Sequence, residues 1–207
     1  MNRKRVGLVM MIIGILAVVS GLGLGVYNLW DNYQAGLRAD AVLDTIDRYR
    51  EEAAAVDPVQ TPEMLPEAEL EELEADGRRY IGTVSIPVID VVLPVQKDWS
   101  LAQLKISPCR YKGSPYRGDL IICAHNYATH FGRLKNLLSG DEVIFTDLAG
   151  NEFVYTVVEL ETLDGTAVEE MESGEWDLTL FTCTLGGQTR VTVRCERLED
   201  EEFPGFY

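Results

Sequence analysis

A chain of 207 residues has room for one ordinary domain and some accessory segments. Its formal net charge of −16 and sequence pI near 4.5 weigh against a phosphate-binding surface, which excludes nucleic acid as a partner. The cysteines, Cys109, Cys123, Cys183 and Cys195, are too few to staple a domain of this size. No Cys/His group has the spacing of a metal site either.

Only the extreme N-terminus is basic. Arg3-Lys4-Arg5 precedes Val6 to Trp30, twenty-five residues without a charge, and about 20 apolar residues suffice to span a bilayer as a helix. The sequence therefore predicts a short cytoplasmic end (residues 1–5), a single transmembrane signal anchor (6–30) and an extracellular remainder. A cleaved signal peptide is the competing reading. It is disfavoured because the apolar run is long and the triplet Ala39-Asp40-Ala41 lies too far downstream for cleavage. Residues 31–79 read as a juxtamembrane helix with apolar positions Tyr33, Leu37, Ile46 and Tyr49, broken by Asp57-Pro58, Thr61-Pro62 and Leu65-Pro66. An acidic, solvated spacer then runs from Glu67 to Asp76.

From Tyr80 the texture changes to short apolar runs bounded by turn residues. Strands are predicted over Tyr80–Ile86, Val91–Gln96, Leu120–Ala124, Glu142–Thr146, Glu152–Leu160, Asp177–Cys183 and Arg190–Glu196, with short helices over Leu101–Lys105 and Arg133–Leu138. Many short strands and few helices imply an all-β, closed or nearly closed barrel over residues 80–198. An acidic and aromatic tail, 199–207, follows.

The last two strands flank Gly186-Gly187, a hairpin signal. If those glycines are the two loop residues, Leu185 faces Gln188, Thr184 faces Thr189, and Cys183 faces Arg190. Directly opposed residues project from one face with Cβ atoms roughly 5 Å apart, which sets a thiol beside a guanidinium. Only a thiolate is a useful nucleophile, and a permanently charged arginine can stabilise it or a nearby oxyanion. A one-residue slip would undo the arrangement. His125, one of two histidines, ends an apolar strand and suits an acid/base role; His130 reads as an exposed loop histidine. By alternation Cys195 points to the core and Arg194 lies opposite Thr179, as a surface arginine at the barrel rim.

Thr179-Leu180-Phe181-Thr182-Cys183 resembles the TLxTC signature of sortases, the cysteine transpeptidases of Gram-positive cell surfaces. Arg190, shortly after the cysteine, and His125, at the end of Leu120-Ile121-Ile122-Cys123-Ala124, match that family's arginine and histidine. Phe131-Gly132-Arg133-Leu134, Leu137 and Gly140-Asp141 extend the resemblance, which covers about residues 80–198. It implies an eight-stranded β-barrel and a thioacyl-enzyme mechanism with Cys183 as nucleophile, His125 as acid/base and Arg190 as stabiliser. Thr182 and Asn126 would touch substrate. The implied partners are secreted proteins with a C-terminal sorting motif such as Leu-Pro-x-Thr-Gly, and an amine acceptor from a cell-wall precursor or a pilin lysine. No cofactor is implied; the calcium some sortases use would fall to Glu169, Glu170 and Glu172, which read better as a solvated acidic loop. The Asp-Pro-aromatic lid of some pilus-building members is not matched, because Val59 follows Asp57-Pro58.

Two other classes use similar residue types. An L,D-transpeptidase or papain-like peptidoglycan hydrolase is one, although the Ser-His-Gly-Cys arrangement is absent and His125 precedes Cys183. A non-catalytic barrel displayed as a binding module is the other. The sorting motif, the acceptor, the subclass and any disulfide among Cys109, Cys123 and Cys195 stay open at the level of sequence.

Overall fold

A computed structural model describes residues 3–56, 69–173 and 176–198. The chain forms two compact units, Met1–Gln34 and Ala35–Tyr207. The first is helical, part of helix α1 (Arg3–Val56), and its apolar side chains from Leu8 to Trp30 are exposed. Mean hydropathy reaches 2.5 over an 18-residue window, so this helix is long and apolar enough to cross a membrane.

The second unit contains the rest of α1 and nine strands: β1 (Leu73–Ala75), β2 (Arg78–Ile86), β3 (Val91–Gln96), β4 (Cys109–Lys112), β5 (Leu120–Ala124), β6 (Glu142–Asp147), β7 (Glu152–Asp164), β8 (Leu178–Cys183) and β9 (Thr189–Arg197). They pair in the order β1-β2-β3-β4-β5-β8-β9-β7-β6, and β2 also pairs with β6. That contact closes β2 to β9 into an eight-stranded barrel, with β1 sharing one edge of β2 with β6. Closure removes the unpaired edges that an open sheet would expose. Alternation decides what fills it. Phe145 on β6, Phe153 and Tyr155 on β7, Leu178 and Leu180 on β8, and Val193 and Cys195 on β9 all point inward and are buried. Every residue of β5 is buried, as its unbroken apolar run suggests for a strand covered on both faces.

The expected strands are all present, and two more join them. β4 was hidden in Cys109-Arg110-Tyr111-Lys112, which pairs with β5. β1 lies within the acidic stretch read as a solvated spacer. Asp76 and Gly77 both have positive φ, 49° and 67°, which makes the β1–β2 connection a two-residue type I′ hairpin. The expected helices are 3₁₀ turns over Gln103–Lys105 and Phe131–Asn136, and one short helix, α2 (Val168–Met171), was not expected.

Helix α1 continues to Val56 and docks on the barrel; of the apolar positions noted in its sequence Ile46 and Tyr49 pack there, while Tyr33 and Leu37 are exposed. Ala35, Ala39, Val42 and Ile46 are buried, at the three- and four-residue steps of a helix face. Leu37 is 45% exposed. Val42 and Ile46 pack with Tyr80 and Leu148. Arg50 then donates to the carbonyls of Thr146 (2.7 Å) and Asp147 (3.0 Å) and to the Thr83 hydroxyl (3.1 Å). The proline-containing breaks at 57–66 and the tail 199–207 lie outside the described residues.

Candidate active site

The register of β8 against β9 is the expected one, Cys183 opposite Arg190 and Thr179 opposite Arg194. The loop that sets it is longer than expected. Thr184 pairs with Thr189 by an N–H to carbonyl bond of 3.0 Å and by hydroxyls 2.8 Å apart. Leu185 and Gln188 are loop residues and not a facing pair. The Thr184 carbonyl accepts from Gly187 N–H at 2.9 Å, and Gly186 has φ 91°, so the bend is a type II turn needing glycine at its third position. Two extra loop residues shared equally between the strands leave the pairing of Cys183 unchanged.

Arg190 is tied into this hairpin by one nitrogen. Its Nη1 donates to the carbonyls of Gly187 (2.9 Å) and Thr189 (3.1 Å). Its other guanidinium hydrogens have no protein acceptor among the described residues, so they are available to an incoming oxygen. Gly165 permits the packing: its N–H donates to Gln188 O at 2.8 Å, and a Cβ there would sit 2.7 Å from that oxygen and 3.3 Å from Nη1.

His125 reaches the same place from β5. This strand runs parallel to β8 with Ala124 beside Thr182, so the next residues along, His125 and Cys183, emerge together at neighbouring strand ends. Cys183 is half-buried, whereas the other cysteines are buried. Burial pushes the Cys109 and Cys195 thiols up to about 12 and raises that of Cys123 further, which keeps them protonated and inert. All four are free thiols in the structure.

The imidazole of His125 stacks on Tyr127 at 4.0 Å between centroids, 18° from parallel. Tyr127 in turn meets His130 edge-on at 5.3 Å. His130 is not the exposed loop residue the sequence suggested; it is fully buried, and neither ring nitrogen has a hydrogen-bond partner. Burial, then the adjacent His125, lower its pKa to about 4, opposed weakly by the nearby backbone of Ala35. Thr182 also differs from expectation. It faces the barrel interior, 3% exposed, and its hydroxyl donates to Ala124 O at 2.9 Å, so it ties the ends of β5 and β8 together and does not line the groove. Asn126 begins the loop after His125 and is half-buried.

A groove of about 230 Å³ runs beside Cys183 and Arg190. Trp99, Leu101, Tyr111 and Phe181 form one apolar side and Val168 and Met171 of α2 the other. Tyr111 stands 5.4 Å from both Trp99 and Phe181. Of the acidic residues of this loop, Glu172 accepts from the Tyr111 hydroxyl (3.2 Å) and pairs with Lys112 (2.7 Å). Arg194, expected at the surface, is 2% exposed. Neither its burial nor the Tyr127 stack had a local signal in the sequence, since both depend on segments brought in by the barrel.

Cys183 and Arg190 thus line an apolar groove across one rung of the closed barrel, and His125 ends the neighbouring parallel strand. The Sortase domain family model matches residues 84–198. Sortase A of Bacillus anthracis is 25% identical over 194 residues, which cover 88% of this chain and 89% of that one. Sortase C of Streptococcus pneumoniae superposes with a TM-score of 0.53 at 25% identity, covering 75% of this chain and 89% of that one. Sortase C of Clostridium perfringens, solved with the C-terminal cell wall sorting motif, does so at 0.52 and 22%, covering 78% and 89%. The chain belongs to the sortase family and is a cysteine transpeptidase.

Proposed function

We propose that Cys183, His125 and Arg190 carry out the transpeptidation, on secreted proteins that bear a Leu-Pro-x-Thr-Gly-like C-terminal sorting motif. The observation that supports this most is the convergence of Cys183 and Arg190 across one rung with His125 at the adjoining parallel strand end. The Cys183 thiolate attacks the threonine carbonyl, and Arg190 donates hydrogen bonds to the resulting oxyanion. Collapse breaks the C–N bond, His125 protonates the departing amine, and a thioester remains on Sγ. An amine of a cell-wall precursor or a pilin lysine then attacks, giving its proton to His125 and releasing the Cys183 thiolate as the C–S bond breaks. The chemistry balances without a metal or cofactor. Arg3-Lys4-Arg5 ahead of the apolar helix favours a cytoplasmic N-terminus, which puts the barrel outside the cell where its substrates arrive.

The test is intact mass spectrometry of the full chain in detergent with a panel of sorting-motif peptides and no amine acceptor. An acyl adduct on Cys183, lost in Cys183→Ala, is expected. No adduct with any peptide would sink the assignment.

A further inference from the structure

Arg194 heads the largest fully buried side chains, yet it has no part in the chemistry above. A guanidinium taken out of water is costly unless all its hydrogens are matched. Here they are matched by α2 and the two strands that flank β9. Nη2 donates to Glu170 O at 2.6 Å, and Nη1 to Met171 O at 3.1 Å and Thr179 Oγ1 at 3.0 Å. Nε bonds the Glu161 carboxylate on β7 at 2.7 Å.

The two carbonyls belong to the last turn of α2, where a helix lacks internal donors; that of Glu170 also accepts from the Ser173 hydroxyl at 2.9 Å. A helix of four residues cannot hold itself, because nucleation consumes more order than it returns. Arg194 therefore supplies donors that α2 lacks, while Tyr111 and Lys112 hold the side chain of Glu172, the residue that follows it at the same end. The element so fixed presents Val168 and Met171 to the groove. A lysine cannot replace the planar fork, since one ammonium cannot meet two carbonyls, a hydroxyl and a carboxylate in this geometry.

We propose that Arg194 is a positioning residue for sorting-peptide recognition: by clamping α2 it sets the width of the groove beside Cys183, and so governs peptide affinity and not thiol chemistry. This rests on the reading of the groove as the peptide site. The test uses the full chain in detergent carrying Arg194→Lys and, separately, Glu161→Gln, which loosens the guanidinium without touching α2. Peptide KM and kcat, alkylation of Cys183 by iodoacetamide, and hydrogen exchange of residues 164–173 are measured.

For Arg194→Lys, KM should rise about ten-fold or more with kcat within about two-fold, the signature of lost uniform binding. Alkylation should stay within about two-fold of wild type, and exchange of 164–173 should quicken about ten-fold while other barrel segments hold. Glu161→Gln should shift KM and exchange the same way by less, and it alone decides the matter if Arg194→Lys does not fold. Unchanged exchange at 164–173, or a fall in kcat at constant KM, would overturn the proposal. Wild-type protein that turns over no peptide would instead refute the assigned reaction, and exchange would still decide the clamp.

Discussion

Ile46→Ala probes the seam between the C-terminal part of helix α1 and the barrel. Ile46 is fully buried in a small cluster with Val42, Tyr80 and Leu148, apart from the main core. Truncating such a side chain costs its transfer free energy plus a cavity term, about 2–5 kcal/mol in all. A seam between two elements can close up in part, which places this site near the middle, at about 3 kcal/mol. For a unit of this size each kcal/mol moves Tm by about 2–4 °C, so unfolding should come about 6–12 °C earlier. Near-ultraviolet circular dichroism of the detergent-solubilised chain gives the measurement, with Leu37→Ala, at a 45% exposed position, as control. A loss under about 2 °C for Ile46→Ala, or equal losses for both variants, would refute the docking face described here.

Three further outcomes are expected. Arg190→Ala should lower kcat/KM for thioester formation by about 10²–10³, the usual effect of removing one oxyanion donor; single-turnover mass spectrometry with a reactive peptide reads it, and a loss below three-fold would remove Arg190 from the chemistry. Gly165→Ala should fold but lose about ten-fold or more in kcat/KM, because its Cβ would press 2.7 Å from Gln188 O and shift the hairpin carrying Arg190; wild-type kinetics would contradict this. The His130 pKa is lowered from 6.5 to about 4. The unfolded chain thus takes up a proton below about pH 6.5 while the folded chain does not until about pH 4, and stability falls as pH drops through that window. The contribution is on the order of 3 kcal/mol. His130→Leu should flatten the Tm-versus-pH curve between those limits, and parallel curves would show that His130 is not the titrating group.

What the sequence made legible was what short-range pattern controls. Alternation along Leu178–Cys183 and Thr189–Arg197 fixed which side chains share a face, so the Cys183–Arg190 rung survived an error in loop length. Leu120–Ala124 declared itself as a buried strand by its unbroken apolar run. β4 escaped because Cys-Arg-Tyr-Lys is only four residues long, carries two charges and has no clean apolar alternation. β1 was masked by surrounding glutamates, although Asp76-Gly77 was a usable turn signal. The docking face of α1 was half legible, through Ile46 and Tyr49; Ala35 and Ala39, which complete it, are small and carry little hydrophobic signal. Arg194 and His130 look like surface residues in any linear reading. Their burial follows from α2, the 126–132 loop and helix α1 arriving over them, which only the closed topology dictates.

The unequal exposure of the thiols makes the native protein a self-counting reagent. A thiol probe added to folded enzyme should be consumed by Cys183 alone, whereas the unfolded chain offers all four cysteines. Probe stoichiometry therefore reports the fraction of molecules that hold their fold, and the first increment reports how many are competent. The same asymmetry means that oxidative cross-linking of intact molecules has one route, through Cys183.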